Sequence, residues 1–515
     1  MAGFSFLLST FYSCRKPTTI SEDERRIEVY QTLHQYAWER NDSAIIPYLK
    51  AKKAFDRALA AELLGSVMSK TALPFLSQSV QSDQDKEVRR MAAFALGQLR
   101  DSAAVPPMLI AVRSETSGLV RTELFRALGR CANNDVWNML LGFRPDTDEL
   151  KTSWMDCLFQ ASMTPNGYRA ASDTFLRKSV ELSVGDSLYP VYWAHYIKRL
   201  RKHWDKEQID YIKTAVNEMT DDPALFYHIG VATGDSTLRV TKDPVSGSPY
   251  DLSDLSGDWK QESHPFRRNF LIEEALRGIE DSSQLRPLVW ELLRASDMAA
   301  ISLGCYQIVE NPTYFNDSTT RNLLLKNRYW ANRTSKLETY LDIRKALDAL
   351  GLESTDPDEP QYAPLDWTYW KELDSTEKVV IKTDAGEIQC ELYPWKAPAT
   401  AVRFLKSVDS SDYAGRYFHR VVPHFVIQGG CPRGDGWGSE SWMLRSYFTP
   451  ELTYTPGSIG LASVGPDTEG VQFFITHEHT PHLDGRYSIF GRVVSGMTVV
   501  RKIRPGHRIL SIVRL

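Results

Sequence analysis

Between Phe418 and Gly430 the chain reads Phe-His-Arg-Val-Val-Pro-His-Phe-Val-Ile-Gln-Gly-Gly. Val421, Val422, Phe425, Val426 and Ile427 form an apolar run of β type, broken once by Pro423. Arg420 and Gln428 are set into that run. Buried in a strand, such side chains cost several kcal/mol unless paired, so a groove open to solvent is the more economical place for them. Gly429 and Gly430 then permit a sharp turn or a close backbone approach. The rest of the chain offers no defensible serine–histidine–aspartate arrangement, no HExxH and no CxxC. His477, Glu478 and His479 are adjacent, but successive strand residues face opposite ways, so they do not make a zinc site. What remains is a permanently charged hydrogen-bond donor beside an apolar surface, and no metal or cofactor is expected.

The same stretch resembles the signature of the cyclophilin-type peptidyl-prolyl isomerases. Further pieces follow in the family's order: Gly434-Asp435-Gly436-Trp437-Gly438, Gly460-Leu461-Ala462, Gly465-Pro466-Asp467, Gln472-Phe473-Phe474-Ile475-Thr476, Leu483-Asp484-Gly485 and Phe490-Gly491-Arg492-Val493. They span residues 376–507, about a quarter of the chain. The resemblance implies an eight-stranded β-barrel capped by two helices and the isomerisation of Xaa-Pro bonds in polypeptide clients. It implies catalytic roles for Arg420, the match to the family's arginine, and for Gln428. By the same match Phe425, Val426, Ala462, Ser463, Gln472, Phe474, His482, Leu483 and Tyr487 bind substrate. Val426 stands where the family commonly has methionine, Ser463 where it has asparagine, His482 where many members have tryptophan, and Tyr487 where many have histidine. These departures bear on substrate preference and inhibitor binding. Cys431, beside the site, is read as incidental or as an oxidation-sensitive thiol on its rim.

Rotation about an Xaa-Pro bond meets a barrier of roughly 18–20 kcal/mol because amide resonance is lost in the twisted state. An enzyme needs only to bind that twisted imide more tightly than either planar form. The proline nitrogen regains its lone pair as resonance breaks, and the resemblance makes Arg420 the donor aimed at it.

Three quarters of the chain lie outside this resemblance. At 515 residues two to four domains are expected. A net charge of −4 argues against a nucleic-acid footprint. Leu64-Gly65, Leu96-Gly97 and Leu128-Gly129 recur at a spacing of 32, as do Pro74 and Pro106, and Arg57, Arg89 and Arg121. Each unit reads as two helices joined by a short turn, and such pairs must stack to bury their apolar faces. The pattern resembles HEAT-like repeats, clearest over 50–150 within a helical region at 22–350. Ser21 is a candidate cap for the first helix, residues 163–167 a turn, residues 189–197 an aromatic helix face, and about 233–265 a long loop. Helices are expected again from about 266 to 350. Three prolines and many acids mark 352–375 as a linker, and 508–515 reads as a C-terminal tail.

At the other end, residues 4–12 are mostly apolar, and Cys14 precedes Arg15-Lys16-Pro17. The run is too short to span a bilayer as a helix. It resembles a degenerate bacterial lipoprotein box, which implies a segment 1–14 with lipidation at Cys14 and a place in the cell envelope; the alternative is a cytoplasmic protein with an apolar tail. Two functions stand: an isomerase whose helical arm binds clients or partners, and a scaffold subunit of an envelope complex that uses the barrel for docking.

Overall fold

The computed structural model describes residues 22–142, 148–162, 164, 258–279 and 282–515. Cys14 and its apolar run, Ser21, the aromatic face at 189–197, and most of the 163–167 turn and of the 233–265 loop lie outside the described residues.

The first helical block comprises α1 (Glu22–Trp38), α2 (Asp42–Ile45), α3 (Ala54–Val67), α4 (Leu73–Ser82), α5 (Lys86–Gln98), α6 (Val105–Ser114), α7 (Gly118–Arg130), α8 (Asn134–Gly142) and α9 (Asp148–Ser162). The spacing of 32 is explained by packing. A Cβ placed on Gly97 of α5 would lie 2.6 Å from the Ala127 backbone of α7, and one on Gly65 of α3 would lie 2.9 Å from that of Ala95. Only glycine lets successive inner helices approach so closely. Pro74 and Pro106 sit in the first turns of α4 and α6, where the missing N–H has no helical partner to lose. The in-step arginines tie neighbouring units: Arg57 Nε lies 2.8 Å from Asp83, and Arg89 Nε lies 2.7 Å from Glu115.

A second block holds α10 (Pro265–Arg277), α11 (Ser282–Arg294), α12 (Met298–Glu310), α13 (Ser318–Ala331) and α14 (Leu337–Ala349), the last ending before Gly351 at φ +68°. It packs around apolar centres of its own, one on Val289, Ile301, Phe315 and Tyr340, the other on Ile272, Leu292 and Ala300. Among the described residues no helix is long and apolar enough to cross a membrane.

Residues 352–361 form neither helix nor strand, and Tyr362 bridges to Met443. Ala363, Trp370 and Leu373 are buried, so the second half of the stretch read as a linker is core instead. A short helix, α15 (Trp367–Trp370), leads into the strands β1 (Glu377–Thr383), β2 (Gly386–Leu392), β3 (Phe418–Val422), β4 (Val426–Gly429), β5 (Ser458–Leu461), β6 (Phe473–Thr476), β7 (Ile489–Ser495) and β8 (Ile509–Arg514), with helices α16 (Pro398–Asp409) and α17 (Met497–Lys502). The sheet order is β3-β4-β6-β5-β7-β2-β1-β8, with antiparallel pairing throughout. Residues 508–515 are therefore not a tail: β8 pairs with β1 from Val379–Arg514 to Thr383–Ile509. Asp384-Ala385 make the tight turn between β1 and β2, where Thr383 faces Gly386. The edge strands β3 and β8 meet at one bridge, Tyr417–Arg508, and by the Phe418 N–H donating to the His507 carbonyl at 2.9 Å.

The first helical block and the sheet unit share one hydrophobic core. Tyr30 of α1 stacks on Trp370 with ring centroids 5.3 Å apart and donates from its hydroxyl to the Trp395 carbonyl at 2.7 Å. Arg40 pairs with Asp467, its Nε 2.9 Å from Oδ2. The Ser66 hydroxyl donates to the Phe448 carbonyl at 2.8 Å and accepts from the Phe448 N–H at 3.0 Å. Gln98 and Gln160 donate to the carbonyls of Gly485 and Pro481 at 3.1 and 2.9 Å.

Candidate active site

The stretch around Pro423 folds as a hairpin. β3 carries Arg420 and β4 carries Gln428, and the two residues face each other across the ladder. Pro423-His424-Phe425 make the turn between them. β6 follows on the other side of β4, setting Phe474 opposite Gln428. The sheet thus gathers polar and apolar groups that are about 50 residues apart in sequence.

The arrangement opens into a groove of about 870 Å³. Arg420, Phe425, Val426, Gln428, Ala462, Ser463, Phe474, Leu483 and Tyr487, all expected at the site, line it together. Val426, Phe474 and Leu483 are buried and pack with Tyr454 and Ile489 as an apolar floor. Tyr487 meets the Phe474 ring edge-on at 5.7 Å. Arg420 is exposed to the groove, though the surrounding walls strip enough water from it to lower its pKa from the usual arginine value.

The guanidinium is held by a directed chain. Arg420 donates to Gln428 Oε1 at 3.4 Å; Gln428 Nε2 donates to Gln472 Oε1 at 3.1 Å; Gln472 Nε2 donates to the carbonyls of Gly436 and Gly438, each at 2.9 Å. Every amide has one orientation that satisfies its neighbours. One Gln428 N–H is left to meet a ligand carbonyl.

Two expected substrate contacts lie elsewhere. Gln472 is buried behind Gln428 and lines a side pocket of about 90 Å³ instead of the main groove. His482 does not line the main groove; its ring stacks on that of Phe425, centroids 5.2 Å apart. Cys431 is not on the rim. It is fully buried, and burial raises its thiol pKa, which removes the basis for oxidation there.

The opposite side of the groove comes mostly from outside the sequence motifs. Asn269, Phe270 and Glu273 of α10, Tyr306 of α12 and Glu338 of α14 line it, together with Trp437 of the sheet unit. The second helical block is fixed there by Asp297, which pairs with Arg433 at 2.8 Å and Arg268 at 3.2 Å, and by Asn269 Nδ2 donating to the Asp435 carbonyl at 3.4 Å. The Tyr306 and Trp437 rings lie 5.9 Å apart. Trp437 alone carried a sequence signal, within Gly434–Gly438.

Comparison with known proteins agrees with this geometry. The family profile for cyclophilin-type peptidyl-prolyl cis-trans isomerases matches residues 378–510, and that for HEAT repeats matches 43–129. Peptidyl-prolyl cis-trans isomerase B of Bacillus subtilis is 42% identical over 24% of this chain and 87% of its own length. The peptidyl-prolyl cis-trans isomerase of Synechococcus elongatus is 37% identical over 26% of this chain and 94% of its own, and that of Helicobacter pylori is 39% identical over 28% and 90%. A groove built on the β3–β4 hairpin, in a domain that aligns along nearly the whole of such enzymes, makes this chain a member of the cyclophilin-type peptidyl-prolyl cis-trans isomerases, its enzymatic domain preceded by a helical-repeat region.

Proposed function

We propose that Arg420 is the group that catalyses isomerisation of Xaa-Pro bonds in this groove, with Gln428 holding it in place. The observation that carries the reading is the exposed guanidinium, tethered at 3.4 Å to Gln428 Oε1 above the apolar floor. A proline ring seated on Phe425, Val426, Phe474 and Leu483 puts its imide nitrogen toward the charged donor. As the bond twists, nitrogen pyramidalises and its lone pair accepts from Arg420; the planar forms offer no such acceptor. Gln428 restricts the guanidinium, so little ordering is required at the moment of reaction. Its remaining N–H steadies the client backbone, and Ala462 and Ser463 receive that backbone in extended form.

A charged hydrogen bond of roughly 1.5–3 kcal/mol confined to the twisted state corresponds to about tenfold to a hundredfold in rate. Arg420→Ala in the full chain is therefore expected to lower kcat/KM on a proline peptide by that factor, with the fold intact by circular dichroism. Undiminished turnover in that variant would overturn the assignment.

The clients we infer are extracytoplasmic polypeptides, on the strength of the lipoprotein-like sequence at Cys14. Retention of Cys14→Ala in the membrane fraction would refute that placement. The helical repeats serve as an arm for clients or partners, a reading supported by their stacked architecture. The Tyr417–Arg508 bridge supports closure of the sheet into a barrel. The scaffold reading is the weaker one, because the groove at Arg420 is open to solvent.

A further inference from the structure

The second helical block brings to the groove a wall whose chemistry differs from that of the sheet. On the sheet side stand Arg420 and Arg504. On the helical side the polar groups are hydrogen-bond acceptors and acids. Asn269 and Glu273 lie one turn apart on α10 and face the same way, and Glu338 opens α14 beside them. Asn269 is buried and holds the wall in place through its bond to the Asp435 carbonyl, so the acidic groups are left to meet a ligand. Glu273 is already paired with Arg277 at 2.9 Å. Glu338 makes no ion pair among the described residues, because the nearby Lys345 ammonium is engaged by Asp342 at 3.0 Å. Glu338 also lines the side pocket, next to Gln428, Trp437, Ala462 and Ser463. Burial and the neighbouring Asp342 push its carboxyl up to about 7, so an arriving cation would relieve an existing cost. Tyr306 and Trp437 add two ring faces at the same place, and aromatic faces attract ammonium and guanidinium groups.

We propose that this wall selects clients carrying a lysine or arginine close to the isomerised Xaa-Pro bond, with Glu338 and the Tyr306–Trp437 pair receiving the cation. The inference rests on the assignment of the groove as the place where the client binds. The basic side chain runs along the Ala462–Ser463 segment toward Glu338, and its stem covers the aromatic rings while the charge meets the carboxylate. An acidic residue at the same place meets Glu338 and Glu273 and is disfavoured.

The test uses the full chain and a set of proline peptides that differ only in one flanking residue: lysine, glutamine or glutamate, placed one, two or three positions from the proline on either side. Turnover of the glutamine peptide checks the groove itself; its absence would unseat the parent reading rather than this one. With turnover present, kcat/KM for the lysine peptide is expected to exceed that for the glutamate peptide by about three- to tenfold at one position, through KM, and the ratio to shrink in about 0.5 M salt. Glu338→Gln, nearly the same shape without the charge, should bring the ratio toward one. Tyr306→Leu should reduce it in part, a second check should Glu338→Gln lower the yield of folded protein. Equal values for the three peptides at every position, or a lysine preference untouched by Glu338→Gln, would overturn the proposal.

Discussion

The helical chain meets the sheet unit along two seams, and they are built differently. At the first, α1, α3, α5 and α9 press onto the sheet unit through a common apolar core, with Tyr30 stacked on Trp370 and Ser66 locked to Phe448 in both directions. At the second, α10, α12 and α14 keep their own cores and reach the sheet unit through ion pairs, an amide and facing rings. Burial of apolar area scales with stability, whereas partly exposed ion pairs contribute little. The first seam is thus where the molecule is held together. The second lies along the groove instead.

Substitutions should separate the two. The largest effect is expected from Tyr30→Ala, which removes the stacking on Trp370 and the bond to the Trp395 carbonyl; about 3–5 kcal/mol should be lost in denaturant unfolding. If only helical signal were lost while the sheet unit unfolded as before, the shared core would not be cooperative. Glu62 at the same seam accepts from the Tyr447 hydroxyl at 2.9 Å, and burial raises its carboxyl to about 7. The folded state binds its proton more tightly than the unfolded state, whose carboxyl titrates near 4.5. This group therefore destabilises progressively as pH rises from about 4.5 to about 7, by at most about 3 kcal/mol. Glu62→Gln, measured against the parent at pH 4 and pH 8, should gain stability only at the higher pH; an equal difference at both would contradict the burial argument.

Within the repeats, Gly97→Ala forces a methyl group against the Ala127 backbone and should cost about 1–3 kcal/mol. The smallest change in stability is expected at the second seam. Asp297 caps α12 by accepting from the Ala300 N–H, so Asp297→Asn keeps the cap while losing both arginine pairs. Asp297 is buried, but Arg433 keeps its pair with Asp435 and Arg268 is partly exposed, so stability should fall by only about 1 kcal/mol, while KM for proline peptides shifts as the wall loosens. A large loss of stability with KM unchanged would reverse the roles given to the two seams.

What the sequence disclosed follows the same division. Arg420, Phe425 and Gln428 sit within one hairpin, so a short motif fixes their mutual geometry. The repeat was visible because close helix approach demands glycine at each inner helix. Gln472 stands behind Gln428 and His482 against Phe425, since alternation along a short strand or turn does not say which wall a side chain reaches. The stretch 352–375 reads as a linker from its prolines and acids, yet Trp370 and Leu373 in its second half are core residues. Asn269, Tyr306 and Glu338 carry no sequence signal because each lies on an ordinary amphipathic helix, more than 80 residues before Arg420. Nothing local distinguishes a helix that walls a groove from one that faces solvent.

The run from Gly351 to Tyr362 is pinned at Asp358 to Asn332, at Gln361 to Thr334 and, through the Ala363 N–H, to the Met443 carbonyl. It joins α14 to the sheet unit as a short covalent leash. The wall and Arg420 therefore always share one molecule, and their encounter does not depend on how dilute the protein is. A separate adaptor protein would drift off as its concentration fell; this one cannot, so a preference measured at nanomolar enzyme should equal that measured at micromolar.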